Sequence, residues 1–331
     1  MIASRDAWNS RWNLFEHLSL NSWAAEIAED VLANYEVLGC NVVDVAGAQV
    51  VDCGVHARGS LEAGQLLTLA CMADLADVDV SLERLDGRLL PKVTVSATEP
   101  VVACLLSQYA GWKIQMDDYF AMGSGPMRAI RAGEPIFEHF GYREEEFEVA
   151  VGVLESPQLP NATVVRKIAE EVDAHTDELI LLVARTASLA GSYQVVARSV
   201  ETCLHKLHEI GFDVACVRSG VGSAFLPPIP RDDLTAVGRT NDSILYGGEV
   251  MLWVEAEDEQ IAEVGARLPS SASSDYGESF ADVFRRYKGD FYKIDPLLFS
   301  PAVVAINNLS TGSVFQFGKK DEPLLVRSFF G

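Results

Sequence analysis

The chain has 331 residues, of which 49% are hydrophobic, and its 48 acidic against 26 basic residues give a formal net charge of -22. This length exceeds one ordinary core and predicts two domains, while no apolar run reaches the roughly 20 residues that cross a bilayer. An acidic surface without a basic run repels polyphosphate backbones, so neither nucleic acid nor a membrane is an expected partner.

The amino terminus and the cysteines indicate the compartment and the absence of a metal centre. Arg5 and Asp6 stand where a secretion signal would need an apolar run, which predicts a cytoplasmic protein. The six cysteines occur singly, which is typical of reduced thiols in a core rather than of a disulfide scaffold or zinc ribbon. His205 and His208 could supply two metal ligands, but no third or fourth ligand is evident, so no metal site is predicted.

The first half of the chain mixes helices with antiparallel hairpins. Ala46-Gly47 and Asp86-Gly87 are turn dipeptides between predicted strands. In chain order, the sequence predicts a helix over 22–35, strands over 36–45 and 48–53, a helix over 60–75, strands over 78–85 and 89–97, and a helix over 100–111. This mixture favours an α+β fold over a doubly wound parallel sheet.

A proline-bearing segment over 155–160 is the best candidate linker, although it could equally be a loop inside one domain. It predicts a first domain over 1–155 and a second over 156–331, each mixing helices and strands. Two strands predicted near the end, over 302–307 and 313–318, could pair with the first domain.

Two glycine-bearing segments are candidate ligand loops. In the first, over 119–128, Gly123, Ser124 and Gly125 would let the backbone approach a ligand. The segment fits neither a Walker loop nor a dinucleotide fingerprint, and a plain turn before a helix is the alternative.

The second candidate loop, over 238–242, is unusually dense in polar side chains. Arg239, Thr240, Asn241 and Asp242 supply donors and acceptors suited to a polar heterocycle or a sugar, although the same residues are common in turns. The preceding segment over 220–230 is rich in glycine and proline and is predicted to be a structured loop bordering a cleft.

A long helix predicted over 186–210 carries a stripe of titratable side chains. Arg198 and Glu201 stand three residues apart, and His205 and His208 continue the same face. A carboxylate beside a cation is suited to proton transfer, but solvent-exposed ion pairs have the same spacing.

Five segments of the chain together form a specific pattern that is spread over most of its length. They are 52–64 (DCGVHARGSLEAG), 107–112 (SQYAGW), 119–126 (YFAMGSGP), 197–202 (ARSVET) and 238–242 (GRTND). In these segments and in their order, the chain resembles the methenyltetrahydromethanopterin cyclohydrolase family of one-carbon metabolism, which occurs in methanogenic archaea and certain methylotrophic bacteria.

The resemblance implies hydrolysis of the cationic methenyl bridge of a tetrahydropterin to the N5-formyl form, without a metal or redox cofactor. It implies two mixed α/β-type domains flanking a substrate cleft, and a homotrimer. The family's catalytic arginine and glutamate match Arg198 and Glu201. The segments 123–125 and 239–242 become candidates for contacts with the pterin or its tail.

Two alternatives stay open at this point. A non-catalytic pterin-binding protein of the same fold would keep the cleft without the chemistry, although it would not need the Arg198 and Glu201 pair. A cyclohydrolase acting on folate would share the amidinium chemistry and differ in the substrate's ring substituents and tail.

Overall fold

The computed structural model describes residues 19–331, apart from the side chain of Tyr292. The expectation about the amino terminus, which rests on Arg5 and Asp6, therefore concerns residues outside the described part. Within residues 19–331, no helix is both long enough and apolar enough to cross a membrane.

The described part of the chain contains strands β1 (Asn41–Val45), β2 (Ala48–Asp52), β3 (Asp77–Leu85), β4 (Arg88–Ala97), β5 (Trp112–Met116), β6 (Tyr119–Ser124), β7 (Ala150–Glu155), β8 (Leu179–Ala184), β9 (Val217–Phe225), β10 (Glu249–Val254), β11 (Val303–Asn308) and β12 (Val314–Gly318). Its α-helices are α1 (Leu20–Asn34), α2 (Leu61–Cys71), α3 (Met127–Arg131), α4 (Pro135–Phe140), α5 (Ala162–Glu171), α6 (Leu189–Val196), α7 (Ser199–Glu209), α8 (Asp233–Gly247), α9 (Asp258–Gly265), α10 (Phe280–Arg286) and α11 (Glu322–Phe330). The helix predicted over 100–111 is a π-helix, Val101–Gln108.

Internal contacts group the chain into two compact units. One contains residues 19–76 together with Val102–Gly191, and the other contains Asp77–Val101 and Ser192–Gly331. The predicted division into 1–155 and 156–331 differs from this grouping, because β7 and β8 stand on opposite sides of residue 155 and pair in parallel within one sheet.

The first unit is built on a mixed sheet with the strand order β1-β2-β8-β7-β6-β5. Its central strands β2, β8 and β7 are parallel, and the outer pairs are antiparallel. Successive residues of β2 enter different cores, since Val50 clusters with Val165 of α5 and Val51 clusters with Ala28 of α1. Helices therefore cover both faces of this sheet, as its parallel centre requires.

The second unit is built on a sheet with the order β12-β11-β10-β9-β4-β3, in which only β10 and β11 are parallel neighbours. The two strands predicted near the end are β11 and β12, and they share this sheet with β3 and β4 from the first half of the chain. The predicted α+β class is confirmed, with helices and two mixed sheets.

Both predicted hairpins are confirmed, and their turns have the backbone that the dipeptides indicate. Ala46 and Gly47 have φ of 58° and 98°, and Asp86 and Gly87 have φ of 49° and 77°. Two successive positive φ values suit the tight turns that match the twist of paired strands. The dipeptides therefore fix the register of β1 with β2 and of β3 with β4.

Two segments predicted as loops are regular structure. Residues 238–242 lie inside α8, and a Cβ atom at Gly238 would lie 2.8 Å from Cβ of Ala281, so this glycine allows close packing of α8 on α10. Residues 220–225 lie inside β9, and only the part after Phe225 is a loop. In both segments, glycine serves the approach of another element rather than a turn.

Candidate active site

Arg198 lies at a junction between two helices, because the helix predicted over 186–210 is two helices. Helix α6 ends at Val196 and α7 begins at Ser199. At the junction, the Arg198 N–H donates to the carbonyl of Val195, three residues back, at 3.2 Å. The Arg198 carbonyl accepts from both N–H and Oγ1 of Thr202 at 2.8 Å. Both backbone polar groups of Arg198 are thus bonded within the two helices.

The first turn of α7 lies unusually close to strand β9. A Cβ atom at Gly222 would lie 2.5 Å from Ser199 Oγ and 2.8 Å from Val200 Cγ2, and one at Gly220 would lie 3.1 Å from Val200 Cγ1. No glycine or proline stands between 192 and 200 to break a helix, so the prediction of one helix was wrong because tertiary packing outweighs local propensity here.

Arg198 and Glu201 form a buried pair at this junction. Arg198 Nη1 and Glu201 Oε2 are 4.0 Å apart, and the two side chains are 9% and 8% exposed. Glu201 lies in the first turn of α7, where the helix dipole favours a negative charge. This is not the solvated ion pair that the spacing alone would allow.

The guanidinium of Arg198 is also held from α6. Its Nε and Nη2 donate to Gln194 Oε1 at 3.3 Å and 2.9 Å. Gln194 is 2% exposed. Sequence reasoning missed this residue, although a glutamine four positions before an arginine on a helix is a recognisable pairing signal.

Two further polar side chains of α7 form contacts away from this pair. His205 Nε2 lies 3.9 Å from Glu209 Oε1. Lys206 is buried and its Nζ donates to the carbonyl of Leu297 at 2.5 Å, and burial lowers the pKa of its ammonium to about 8. Among residues 19–331, no three His, Cys, Asp or Glu side chains converge as metal ligands would.

The segment Gly123, Ser124 and Gly125 lies at the end of β6, inside the first unit. All three residues are buried. Ser124 Oγ donates to the carbonyl of Val153 at 3.2 Å, and the Gly125 N–H donates to the carbonyl of Ser107 at 3.0 Å. These polar groups are satisfied within the unit, and their predicted contact with a substrate stays a prediction.

The four polar residues predicted over 239–242 do not act as one group. Thr240 Oγ1 and Asn241 Nδ2 donate to carbonyls of their own helix, at 2.9 Å and 2.8 Å. Arg239 and Asp242 line a pocket of about 490 Å³ in the second unit, between α8, α10 and α11. Arg239 Nη1 also donates to the carbonyl of Pro228 at 2.8 Å.

Asp242 is a fully buried carboxyl with two donors. The Phe280 N–H donates to its Oδ1 at 2.8 Å, and Ser328 Oγ donates to its Oδ2 at 2.6 Å. Burial raises the pKa of Asp242 to about 7, against the opposing effect of these donors. Asp242 therefore connects α8 to the beginning of α10 and to α11.

Comparison with known proteins identifies a family and several named relatives. A model of the family described as cyclohydrolase (MCH) matches residues 19–329. A methenyltetrahydromethanopterin cyclohydrolase of Rhodopirellula baltica is 46% identical over 289 residues, which cover 86% of this chain and 87% of that protein. Proteins of the same name from Methylobacterium sp. (strain 4-46) and Methanosarcina mazei are 43% and 40% identical over 316 residues, covering 94% of this chain and 97% and 98% of theirs.

The close approach of α7 to β9 predicts a graded response to added methyl groups. Gly222→Ala should lower the free energy of unfolding by about 1–3 kcal/mol, because the new Cβ overlaps Ser199 and Val200. Gly220→Ala should cost less, since its nearest contacts are 3.1 Å away. Urea unfolding of the two variants measures the difference, and equal losses would contradict this packing.

The buried carboxyl of Asp242 predicts a specific pH dependence of stability. Its folded-state pKa of about 7 lies above the usual value, so the folded state holds its proton longer than the unfolded state does. The contribution of Asp242 to the free energy of unfolding therefore falls as pH rises from about 4 to about 7. Asp242→Asn, which stays neutral, should remove that part of the slope.

Urea unfolding at several pH values from 5 to 8 tests this dependence. The difference in stability between Asp242→Asn and the wild type should grow in favour of the variant as pH rises. Glu259→Gln, which changes an exposed carboxyl in α9, serves as the control. Parallel stability curves for the wild type and Asp242→Asn would show that Asp242 titrates normally.

Proposed function

We infer the function from the family, because this chain belongs to the cyclohydrolase (MCH) family across nearly its whole length. The reaction is hydrolysis of the methenyl bridge of 5,10-methenyltetrahydromethanopterin to 5-formyltetrahydromethanopterin, which is reversible. The relatives that carry this name align with both halves of the chain. The buried Arg198 and Glu201 pair is the observation that connects the reaction to particular atoms.

The reaction requires mainly a correctly positioned water molecule and groups that transfer protons. The bridge carbon of the substrate lies between two nitrogens in a cationic amidinium and is already electrophilic. Water adds to this carbon and loses a proton. The bond from carbon to N10 then breaks as that nitrogen gains a proton, and the hydroxyl left on the carbon loses its proton as it becomes the formyl carbonyl. The formyl group stays on N5, and one proton is released overall.

We assign the proton transfers to Glu201. As a carboxylate it can take the proton from attacking water, and as a carboxylic acid it can return a proton to the leaving nitrogen. Its position in the first turn of α7 stabilises the ionised form that must accept the first proton. A buried carboxylate also meets a cationic substrate in an environment where the attraction is weakly screened.

Arg198 has a supporting role in this assignment. Its guanidinium lies 4.0 Å from Glu201 and favours the ionised carboxylate, while its planar donors can orient the attacking water. A metal ion or redox cofactor is not required by this scheme, because the amidinium carbon needs no further activation and no electrons are transferred. We therefore propose a cofactor-free hydrolase.

The oligomeric state and the metabolic role proposed for the enzyme rest on the resemblance. We propose a homo-oligomer, most simply the trimer that the resemblance implies, working in the cytoplasm. Its place is one-carbon metabolism of the kind found in methanogens and methylotrophs. Gly123, Ser124, Gly125 and the block from Arg239 to Asp242 remain our candidates for contacts with the pterin or its tail.

Replacing Glu201 should abolish the chemistry with little effect on binding. The loss of the amidinium absorbance of methenyltetrahydromethanopterin, followed with chelator present, measures turnover. Glu201→Gln should lower kcat on the order of 100-fold or more while KM changes little, because the amide cannot accept the proton. Glu209→Gln changes a half-exposed carboxylate on the same helix and should retain full turnover.

Three outcomes would contradict this proposal. Near-normal kcat in Glu201→Gln would remove the proton-transfer role from this residue. A wild-type protein that binds the substrate, seen as a saturable spectral shift, yet leaves its amidinium band intact would be a pterin-binding protein. Faster turnover of methenyltetrahydrofolate would instead assign the enzyme to folate chemistry.

A further inference from the structure

We propose that Gln194 is a positioning residue for this reaction, because its neutral side-chain oxygen fixes the guanidinium of Arg198 without cancelling its charge. The inference rests on the proposed function and adds a residue on α6 to the pair at the helix junction. It concerns how the pair is held, since Gln194 acts through Arg198.

The geometry separates the guanidinium into two edges with different partners. Nε and Nη2 form one edge of the planar group, and both donate to the same Oε1 of Gln194. Nη1 lies on the other side, 4.0 Å from Glu201 Oε2. Because the guanidinium is planar and rigid, hydrogen bonds that hold one edge also orient the Nη1 that faces Glu201.

Because this site is buried, the loss of the hydrogen bonds to Gln194 should move the guanidinium. Gln194 and Arg198 are 2% and 7% exposed, so little water is present to replace a lost acceptor. Removing this acceptor would take two hydrogen bonds from one edge of the guanidinium, at a cost typical of lost hydrogen bonds to a charged group. The separation from Glu201 would change with it.

The neutrality of Gln194 matters as much as its acceptor oxygen. A glutamate at this position could form a bidentate ion pair with the same edge of Arg198. Arg198 would then be shared between two carboxylates, and its support for the ionised form of Glu201 would weaken. An amide accepts the same two hydrogen bonds without adding a negative charge beside Arg198.

Two nearly isosteric variants separate these two properties. Gln194→Met keeps the length of the side chain and removes the acceptor, and Gln194→Glu keeps the acceptor and adds a negative charge. Kinetics with methenyltetrahydromethanopterin should show kcat lowered about 10- to 100-fold in Gln194→Met, with KM changed less than about 3-fold. In Gln194→Glu, kcat should fall while KM for this cationic substrate stays equal or decreases.

A packing control accompanies these variants. Val196→Ala truncates a fully buried side chain on the same helix and should lower the urea midpoint while kcat of the folded enzyme stays within about 2-fold. If Gln194→Met fails to fold, Gln194→Glu still tests the requirement for neutrality. Wild-type kcat in Gln194→Met would overturn the positioning role, and wild-type kcat in Gln194→Glu would overturn the requirement for a neutral acceptor.

The remaining outcomes are equally decisive. A rise confined to KM would make Gln194 a substrate contact and overturn its action through Arg198. An inactive wild type would refute the proposed function on which this inference rests. Unchanged kinetics of the variants with an active wild type would refute this inference alone.

Discussion

The candidate active site depends on how closely the first turn of α7 can approach β9. Gly220 and Gly222 present no side chain toward that turn, so Ser199 and Val200 pack directly against the strand. This contact fixes where α7 begins, and the residue before it, Arg198, occupies the break. A larger residue at 222 would push away the same turn that carries Glu201.

The helix break resolves an electrostatic difficulty. A buried carboxylate is costly unless its charge is compensated, and a buried ion pair is seldom worth its desolvation. Glu201 is compensated from two directions, by the N-terminal end of α7 and by the guanidinium of Arg198. In one continuous helix, Glu201 would lack the first of these, because it would lie in the interior of the helix rather than in its first turn.

The arrangement also suits a cationic substrate. Arg198 and Glu201 together are neutral when both are ionised, and Gln194 adds an acceptor without adding charge. In the proposed mechanism, an amidinium entering this site would meet a carboxylate that is shielded from solvent. The acidic surface of the protein, with its net charge of -22, adds a weaker long-range attraction of the same sign.

Sequence reasoning succeeds here wherever a short-range rule determines the structure. The dipeptides Ala46-Gly47 and Asp86-Gly87 predict their hairpins because residues in a tight turn need positive φ. The three-residue spacing of Arg198 and Glu201 predicts their proximity because residues three apart are neighbours on a helix or at its first turn. Both inferences need only the local chain.

Prediction from the sequence fails where packing against an element distant in the chain determines the local structure. Nothing between Ser192 and Val200 signals a break, because the break accompanies packing on a strand some twenty residues later. Glycines at 222 and 238 look like turn residues, but each makes room for a neighbouring helix. The burial of Ser124 and the separate roles of Arg239 and Thr240 likewise depend on tertiary contacts that spacing cannot supply.

The central claim is that Arg198 and Glu201 act as one unit in the chemical step. A double-mutant cycle on kcat tests it most directly, with Arg198→Lys, Glu201→Gln and the combined variant. Lysine keeps the charge and loses the planar fork, so it disturbs the pair without removing its cation. If Arg198 acts through Glu201, kcat of the combined variant should be about as low as that of Glu201→Gln alone. If the fold-losses in kcat of the two single variants instead multiply in the combined variant, the two residues act independently, which would contradict the proposed pairing.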